Sequence, residues 1–171
     1  MTEPAPILPL ADLAPLLPPR GVLLGLDLGT KTIGVAGSDP DRRLATVIET
    51  IQRVKFGSDA ARLLALADER KAVAFILGLP LNMDGSEGPR AQATRAFARN
   101  FARLSGRPIG LWDERLSTAA VERALIGADV SRAKRAAVID QHAAAFILDG
   151  ALNFLNHRTA RNEAARPEGE A

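Results

Sequence analysis

Four acidic residues lie in or next to apolar segments of the sequence, where a carboxylate is unfavourable unless it binds a partner. Asp27 lies between two leucines inside a predicted strand, and Asp113 and Glu114 directly follow another apolar strand. Asp140 lies on the apolar face of a predicted helix. A buried carboxylate loses its hydration and has to be protonated, paired or bound to a cation. These positions therefore predict an acidic site that binds a metal ion, with Asp27 at its centre.

The stretch around Asp27 predicts two strands joined by a tight turn. Residues 23–36 are apolar on both sides of a Gly-Thr-Lys turn, and Gly25 and Gly29 leave space beside Asp27 for a backbone or a ligand. The alternative is a carboxylate that only caps this turn. The leucines on both sides of Asp27 place it within the strand, which favours a ligand-binding role.

The second acidic group, Asp113 and Glu114, begins where the strand predicted at 109–112 ends. Ligands of α/β proteins commonly bind at such strand ends. Successive strand residues point to opposite faces of a sheet, so only one of the two is expected to reach Asp27. Either one can instead stabilise the N-terminus of the following helix. The spacing alone does not decide between them.

The third position, Asp140, shares a helix face with small or apolar residues, namely Ala144, Ile147 and Ala151. Such a face packs closely on a sheet, where a carboxylate is unusual. His142 points elsewhere and is interpreted as a surface or supporting histidine. Because the chain has no cysteine and two histidines, three carboxylates favour a hard cation, Mg²⁺ or Mn²⁺, which commonly binds phosphate oxygens.

Basic residues are concentrated in one part of the chain. Between residues 88 and 135 there are ten Lys and Arg against four Asp and Glu. Arg132, Lys134 and Arg135 precede the helix of Asp140, and such clusters commonly contact the phosphates of a polyanion. A stripe of arginines at helical spacing is equally well explained as a solvated face; it comprises Arg95, Arg99 and Arg103.

The loop at 78–86 follows a further apolar strand and is expected at the same edge of the sheet. Asn82 and Ser86 are candidates for contact with a substrate. An ordinary turn also explains the Asn, Asp and Gly residues of this loop.

Composition limits the class of protein. The 171 residues are 47% hydrophobic and 25% charged, which suits one soluble domain with a full core. The net charge of +2 is weak evidence for a nucleic-acid partner. Prolines interrupt any signal-peptide-like run, and no stretch approaches the roughly 20 apolar residues of a membrane span. We therefore expect a cytoplasmic protein that does not bind a membrane.

Apolar periodicity predicts three strands followed by alternating helices and strands. Residues 21–39 supply two strands and 44–53 a third, with connections short enough for an antiparallel meander. Strands are also predicted at 73–77 and 109–112. The predicted helices begin at Ser58 or Asp59, run from Pro89 to about Leu104, run from Ser117 or Thr118 to Gly127, and span 133–155. This order indicates one mixed sheet covered by helices.

The chain is predicted to comprise one domain with two flanking segments. Residues 1–20 contain six prolines, which predicts a loosely docked N-terminal extension. Residues 21–156 form the predicted domain, and residues 157–171 a flexible C-terminal tail.

Four segments, taken in order, resemble the YqgF family of pre-16S rRNA nucleases, also described as RuvX-type Holliday junction resolvase homologues. They are GLDLGTKTIGVA at 25–36, GLPLNMDGS at 78–86, DERLST at 113–118, and Asp140 followed by Ala-Ala at 143–144 and Ile-Leu at 147–148. The similarity covers residues 21–155. It implies an α/β, RNase H-like fold with a five-stranded mixed sheet, an antiparallel meander plus parallel strands, flanked by helices.

The resemblance also implies an activity and a site. The implied enzyme is a metal-dependent nuclease whose catalytic residues and Mg²⁺ or Mn²⁺ ligands are Asp27, Glu114 and Asp140, which favours Glu114 over Asp113. Two metal ions and an attacking water would leave a 5′-phosphate and a 3′-hydroxyl. The implied substrate is the 5′ end of the 16S rRNA precursor in ribosome maturation, with branched DNA as the alternative. Predicted substrate-binding residues are Lys31, Asn82, Arg115, Arg132 and Arg135.

Two other classes of protein are weighed against this hypothesis. An actin-like kinase or ATPase shares the DLGTK turn at 27–31, but it needs a second, duplicated domain for which the chain is too short. A nucleic-acid-binding module would keep the three carboxylates for structural reasons alone. The sequence leaves the oligomeric state, monomer or homodimer, open.

Overall fold

The chain folds around a mixed sheet. The computed structural model describes residues 3–166 apart from the side chains of 118–124 and 139–141. Within that part, the strands are β1 (Ile7–Pro9), β2 (Val22–Leu28), β3 (Thr32–Ser38), β4 (Ala45–Gln52), β5 (Ala72–Leu79) and β6 (Ile109–Asp113). The α-helices are α1 (Leu10–Leu13), α2 (Phe56–Arg70), α3 (Pro89–Ser105), α4 (Glu114–Gly127) and α5 (Arg132–Ala164).

The six strands lie in the order β1-β6-β5-β2-β3-β4. β2, β3 and β4 form an antiparallel meander, because their connections are too short for a crossover. β5 runs parallel to β2 and β6 runs parallel to β5, with α2 and α3 in the crossover connections. The predicted mixed sheet, a meander followed by parallel strands, is confirmed.

Helices cover both faces of the sheet. Side chains alternate along β2, so Leu24 and Leu26 join a core with α2 and α3, whereas Leu23 packs against α5. A Cβ on Gly25 would lie 2.8 Å from Leu148 Cβ, so this glycine allows α5 to lie directly on β2. Residues 23, 25 and 27 of β2 therefore lie on the side of the sheet that α5 covers.

The N-terminal segment is part of the sheet, which corrects the prediction of five strands and a loosely docked arm. Ile7–Pro9 pairs in parallel with β6, and the Ile109 N–H donates to Pro6 O at 2.9 Å. Leu10 and Leu13 are buried in the core that contains α5. Pro9 is tolerated in β1 because this is an edge strand, where one side of the backbone has no neighbouring strand to bond.

Two predicted helix starts are wrong. α2 begins at Phe56, and Asp59 lies buried in its first turn, where its carboxylate accepts the Val54 N–H at 3.2 Å. α4 begins at Glu114, so Ser117 lies within the helix rather than capping it. The Ser117 hydroxyl is buried and accepts the Trp112 Nε1–H at 2.6 Å. Both polar side chains serve tertiary contacts that local sequence patterns do not reveal.

The last helix is longer than predicted. α5 continues from Arg132 to Ala164 instead of ending near Leu155, and so includes part of the predicted flexible tail. No glycine or proline interrupts the sequence between Ala151 and Arg166, so the helix has no local signal to end earlier. Among the described residues, no helix is both long and apolar enough to cross a membrane.

Candidate active site

Asp27 lies near the end of the central strand β2, on the face covered by α5. It pairs with Gly34 of β3, and a Cβ on Gly34 would lie 3.6 Å from Asp27 Cβ and 3.4 Å from Ala144 Cβ. The side chain of Asp27 is half-buried between these elements. The glycine and the alanine let α5 approach the strand closely at the position of the carboxylate.

Glu114 lies over the neighbouring parallel strand on the same face. Its Oε1 is 2.6 Å from the position that a Cβ would occupy on Gly78, and Ile147 Cδ1 of α5 lies at the same distance from that position. Gly78 follows Leu77, the β5 partner of Leu26. Glu114 follows β6 as the first residue of α4, so its side chain reaches across Gly78 of β5 towards β2, the strand that carries Asp27, and Ile147 of α5 packs beside it.

The two carboxylates interact electrostatically. Burial raises the pKa of Glu114 to about 7, and the negative charge of Asp27 adds to this increase. Asp113 contributes a smaller increase, while Arg90 at the start of α3 opposes it. The negative charges of Asp27 and Glu114 repel each other in this partly buried place. A cation bound between them would remove that repulsion, so the arrangement suits a divalent metal ion.

Asp113 has a different role in the structure. It is the last residue of β6, and its Oδ2 accepts a hydrogen bond from Arg115 Nη2 at 2.7 Å. The guanidinium of Arg115 holds the pKa of Asp113 below its usual value. Of the two residues that the sequence left open, Glu114 is the one whose pKa the charge of Asp27 raises, and its role as a metal ligand stays a prediction.

The side chain of Asp140, the third predicted ligand, lies outside the described part of the structure. Its backbone belongs to α5, one helical turn before Ala144, which contacts the β3 position opposite Asp27. Among the described residues, no group of three His, Cys, Asp or Glu side chains is arranged to hold a metal ion. A three-carboxylate ligand set therefore stays a prediction.

A small cleft of about 40 Å³ opens beside Asp27 and contains a carboxylate that sequence reasoning missed. Glu49 of β4 lines this cleft with Thr32, Gly34 and Ala144. Arg62 of α2 binds Glu49 through two hydrogen bonds of 2.6 and 2.8 Å and lowers its pKa. Neither Glu49 nor Arg90 lies in a sequence motif that marks it as a site residue. Their positions near the acidic pair therefore became visible only in the tertiary structure.

The predicted substrate contacts on the 78–86 loop are connected to each other. Asn82 Nδ2 donates to Ser86 Oγ at 3.0 Å, within the loop. Arg115 Nη1 donates to the backbone oxygen of Met83 at 3.1 Å, so this arginine joins the loop to Asp113. The guanidinium positions the loop beside the end of β6, and its contact with substrate stays a prediction.

The other predicted substrate residues lie at different places around this edge. Lys31 is exposed in the turn between β2 and β3, and its backbone oxygen accepts the Arg53 N–H at 2.9 Å. Arg132 is the exposed first residue of α5. Arg135 donates a hydrogen bond to the backbone oxygen of Val130. Their roles in substrate binding stay predictions.

The topology and the paired carboxylates define an RNase H-like α/β protein with an acidic site beside its central strands. Residues 21–154 match the family model of RuvX, described as Holliday junction resolvase. The chain therefore belongs to the RuvX family, which confirms the resemblance drawn from the four sequence segments.

Similar proteins span nearly the same length. One from Bradyrhizobium sp. (strain BTAi1) is 75% identical over 152 residues, covering 89% of this chain and 94% of that protein. Another from Rhodopseudomonas palustris (strain BisB18) is 70% identical over 165 residues, covering 96% and 99% respectively. Both carry the name "Putative pre-16S rRNA nuclease".

Solved structures show more distant similarity. The T. thermophilus RuvC complex with a Holliday junction substrate has a TM-score of 0.48 at 12% identity, covering 85% of this chain and 97% of that chain. The yeast mitochondrial Holliday junction resolvase has a TM-score of 0.47 at 12% identity, covering 90% and 88%.

Proposed function

We propose that this protein is a metal-dependent nuclease that processes the 5′ end of the 16S rRNA precursor. The observation that carries the proposal is the position of two carboxylates at the centre of the sheet, Asp27 on β2 and Glu114 over Gly78 of the neighbouring strand β5, close enough for the charge of Asp27 to raise the pKa of Glu114. A structural role would favour separating or neutralising these charges, whereas a cation-binding role requires them together.

The donor set fits a hard divalent cation. Both side chains offer carboxylate oxygens, and oxygen ligands favour Mg²⁺ or Mn²⁺ over the softer metals. A bound divalent cation would polarise a phosphodiester and lower the pKa of a bound water near the phosphorus. Asp27 and Glu114 would hold this cation, and Asp140, one turn before Ala144 on α5, would complete the ligand set.

The remaining residues of the site bind and orient the substrate. Lys31, Arg132 and Arg135 would contact the phosphate backbone on either side of the reacting phosphodiester. Arg115 would hold the loop that carries Asn82 in place through the Met83 carbonyl and Asp113. Arg90 offers a positive charge near Glu114, which limits the unfavourable charge of the acidic pair before a cation binds.

Two substrates are compatible with this site. The names of the proteins at 70–76% identity point to precursor 16S rRNA. The description of the family model points to a four-way DNA junction as the alternative. We favour the RNA substrate and place the activity in the cytoplasm, where it would contribute to ribosome maturation.

The experiment compares these substrates directly. Purified protein is incubated with precursor 16S rRNA or a four-way DNA junction in Mg²⁺, in Mn²⁺ and in EDTA, and product ends are mapped. We expect shortening at the 5′ end of the RNA only when a metal is present, with products that carry 5′-phosphates. Cleavage of the junction alone would favour the alternative substrate, and cleavage of neither would contradict the nuclease proposal.

A further inference from the structure

A large groove runs along the second half of α5, next to the start of α4. It has a volume of about 860 Å³ and is separate from the small cleft at Asp27. We call it the α4–α5 groove and define it by its aromatic and basic lining residues, namely Trp112, Phe146, Phe154, His157, Arg158 and Arg161. The ring centroids of Trp112 and Phe154 lie 5.9 Å apart.

The aromatic part of the groove begins beside the acidic site. Trp112 precedes Glu114 by two residues, and Leu116, which also lines the groove, follows it by two. Leu116 is 59% exposed, which is high for a leucine beside a packed core. From Phe146 to Arg161 the groove follows α5 for about 22 Å, at ~1.5 Å per helical residue. It therefore leads away from the acidic pair.

The far part of the groove is basic. Arg158 and Arg161 lie on the last turns of α5, and neither forms an ion pair with a carboxylate among the described residues. The acidic lining residue, Asp149, accepts the backbone N–H of Ala45 at 3.2 Å. The groove thus offers the partly exposed rings of Phe146 and Phe154, the latter packed against the buried Trp112, followed by two arginines without an ion pair in the described part of the chain.

We propose that the α4–α5 groove binds a single-stranded RNA segment that flanks the cleaved phosphodiester. Aromatic side chains combined with arginines form a common surface for single-stranded nucleic acids, because bases stack on the rings and phosphates bind the guanidiniums. Asn153 and Asn162 add amide groups that can hydrogen-bond to bases or to 2′-hydroxyls. This inference rests on the proposed nuclease function and extends its substrate contacts beyond the metal site.

Charge favours RNA over a second copy of the chain as the occupant. In a symmetric dimer through this groove the same patch lies on both subunits, so two copies of Arg158 and of Arg161 would enter one interface. Like charges brought together at an interface oppose association, whereas a phosphate backbone complements them. The lining residues from His157 onward also lie beyond residue 154, where the match to the family model ends.

The chain supplies its own probe of this groove, because Trp112 is its single tryptophan. A short unstructured oligoribonucleotide is titrated into the wild-type protein in EDTA, and tryptophan fluorescence and oligonucleotide anisotropy are followed together. We expect binding to change the Trp112 emission. An RNA that binds without changing this emission, or that does not bind, would contradict the inference.

Matched variants separate the groove from the rest of the basic surface. Arg158→Ala/Arg161→Ala is compared with Arg99→Ala/Arg103→Ala, two exposed arginines of α3. Loss of two phosphate contacts is expected to weaken binding about tenfold and to reduce the salt slope by about 1.4. The α3 variant should retain the wild-type affinity. Equal affinities of the two double variants would overturn the inference.

A second variant distinguishes RNA from a second copy as the occupant. Leu116→Glu places a negative charge at the groove entrance on an exposed position, so the fold should be retained. We expect weaker RNA binding and an unchanged sedimentation coefficient. A dimer that this variant dissociates, with RNA binding unaffected, would assign the groove to self-association instead.

The groove inference and the nuclease proposal can fail independently, because RNA binding to the groove is measured without metal and cleavage is measured with it. If Asp27→Asn abolishes cleavage but Arg158→Ala/Arg161→Ala leaves both cleavage and RNA affinity unchanged, the groove inference fails and the nuclease proposal stands. If the groove binds RNA but no nucleic acid is cleaved under any condition, the nuclease proposal fails.

Discussion

The Oε1 of Glu114 lies 2.6 Å from the position that a Cβ would occupy on Gly78. The absence of a side chain at residue 78 is thus what allows the carboxylate to lie over β5, beside the strand that carries Asp27. Ile147 of α5 lies equally close to the same position, so neither neighbour leaves room for an extra carbon.

Gly78→Ala is therefore expected to displace Glu114 and to weaken metal-dependent activity. Loss of a well-placed ligand should reduce activity by more than about 10-fold, the lower end of the effect of perturbing groups that orient metal ligands. Gly57→Ala in α2 is the matched control, because a Cβ there meets nothing within 4 Å. The measurement is the rate of RNA cleavage, and equal rates for both variants would contradict the role of Gly78.

The raised pKa of Glu114 predicts a pH dependence of stability in the metal-free protein. Folding raises this pKa from 4.5 to about 7, so the folded state retains a proton that the unfolded state has already lost. Stability should therefore fall as the pH rises from 4.5 to 7, by about 3 kcal/mol. Unfolding by urea in EDTA across this range measures the effect.

Glu114→Gln removes this titration and serves as the control for it. In EDTA the variant should be more stable than the wild type at pH 8 and similar to it at pH 4. Mn²⁺ should raise the melting temperature of the wild type and have little effect on the variant, because binding to the folded state alone stabilises it. A wild-type stability that is flat between pH 4.5 and 7 would count against the buried acidic pair.

Arg115 is expected to order the 78–86 loop. Its guanidinium bonds to both oxygens of Asp113 and to the Met83 carbonyl, a geometry that a lysine ammonium does not reproduce. Arg115→Lys should speed amide exchange at Asn82 and Gly85, whose N–H groups are bonded within the loop. Hydrogen–deuterium exchange followed by mass spectrometry measures this.

Arg95→Lys is the matched control for Arg115, because Arg95 pairs with Glu87 on an exposed surface. Such a pair contributes only about 0–1 kcal/mol, and loop exchange should not change. The same exchange rates in both variants would mean that the Arg115 contacts do not order the loop.

The N-terminal segment should contribute to stability as part of the sheet. Leu13 is fully buried, so Leu13→Ala is expected to lower the free energy of unfolding by about 2–5 kcal/mol. Leu16→Ala, three residues later and 61% exposed, should change it by less than about 0.5 kcal/mol. Urea denaturation of both variants distinguishes an integral segment from a loosely docked arm, for which the two effects would be equally small.

The sequence predicted the central parts of the fold because their signals are local. Apolar periodicity located β2 to β6, and the leucines around Asp27 identified its unusual position within a strand. The family resemblance favoured Glu114 over Asp113 as a ligand, which stays a prediction; in the structure the carboxylate of Asp113 is bound by Arg115.

The features that were missed depend on contacts between distant parts of the chain. Six prolines in residues 1–20 suggested an unstructured arm, whereas Pro9 lies in the edge strand beside β6 and Pro15 in the first turn of a short 3-10 helix. Ser117 looked like a helix cap, but its hydroxyl accepts the indole N–H of Trp112. Glu49 and Arg90 approach the site only through the pairing of β4 with β3 and the position of α3 after the 78–86 loop.

The most direct test of the account is single-turnover cleavage of precursor 16S rRNA by the wild type and by Asp27→Asn, in Mn²⁺ and at equal protein stability. Asp12→Asn, an exposed aspartate of α1, is the control. Because even groups that only orient metal ligands contribute about 10–100-fold, loss of Asp27 should slow cleavage by more than about 100-fold while Asp12→Asn retains the wild-type rate. Cleavage by Asp27→Asn at the wild-type rate would contradict the central claim that Asp27 is the core of the active site.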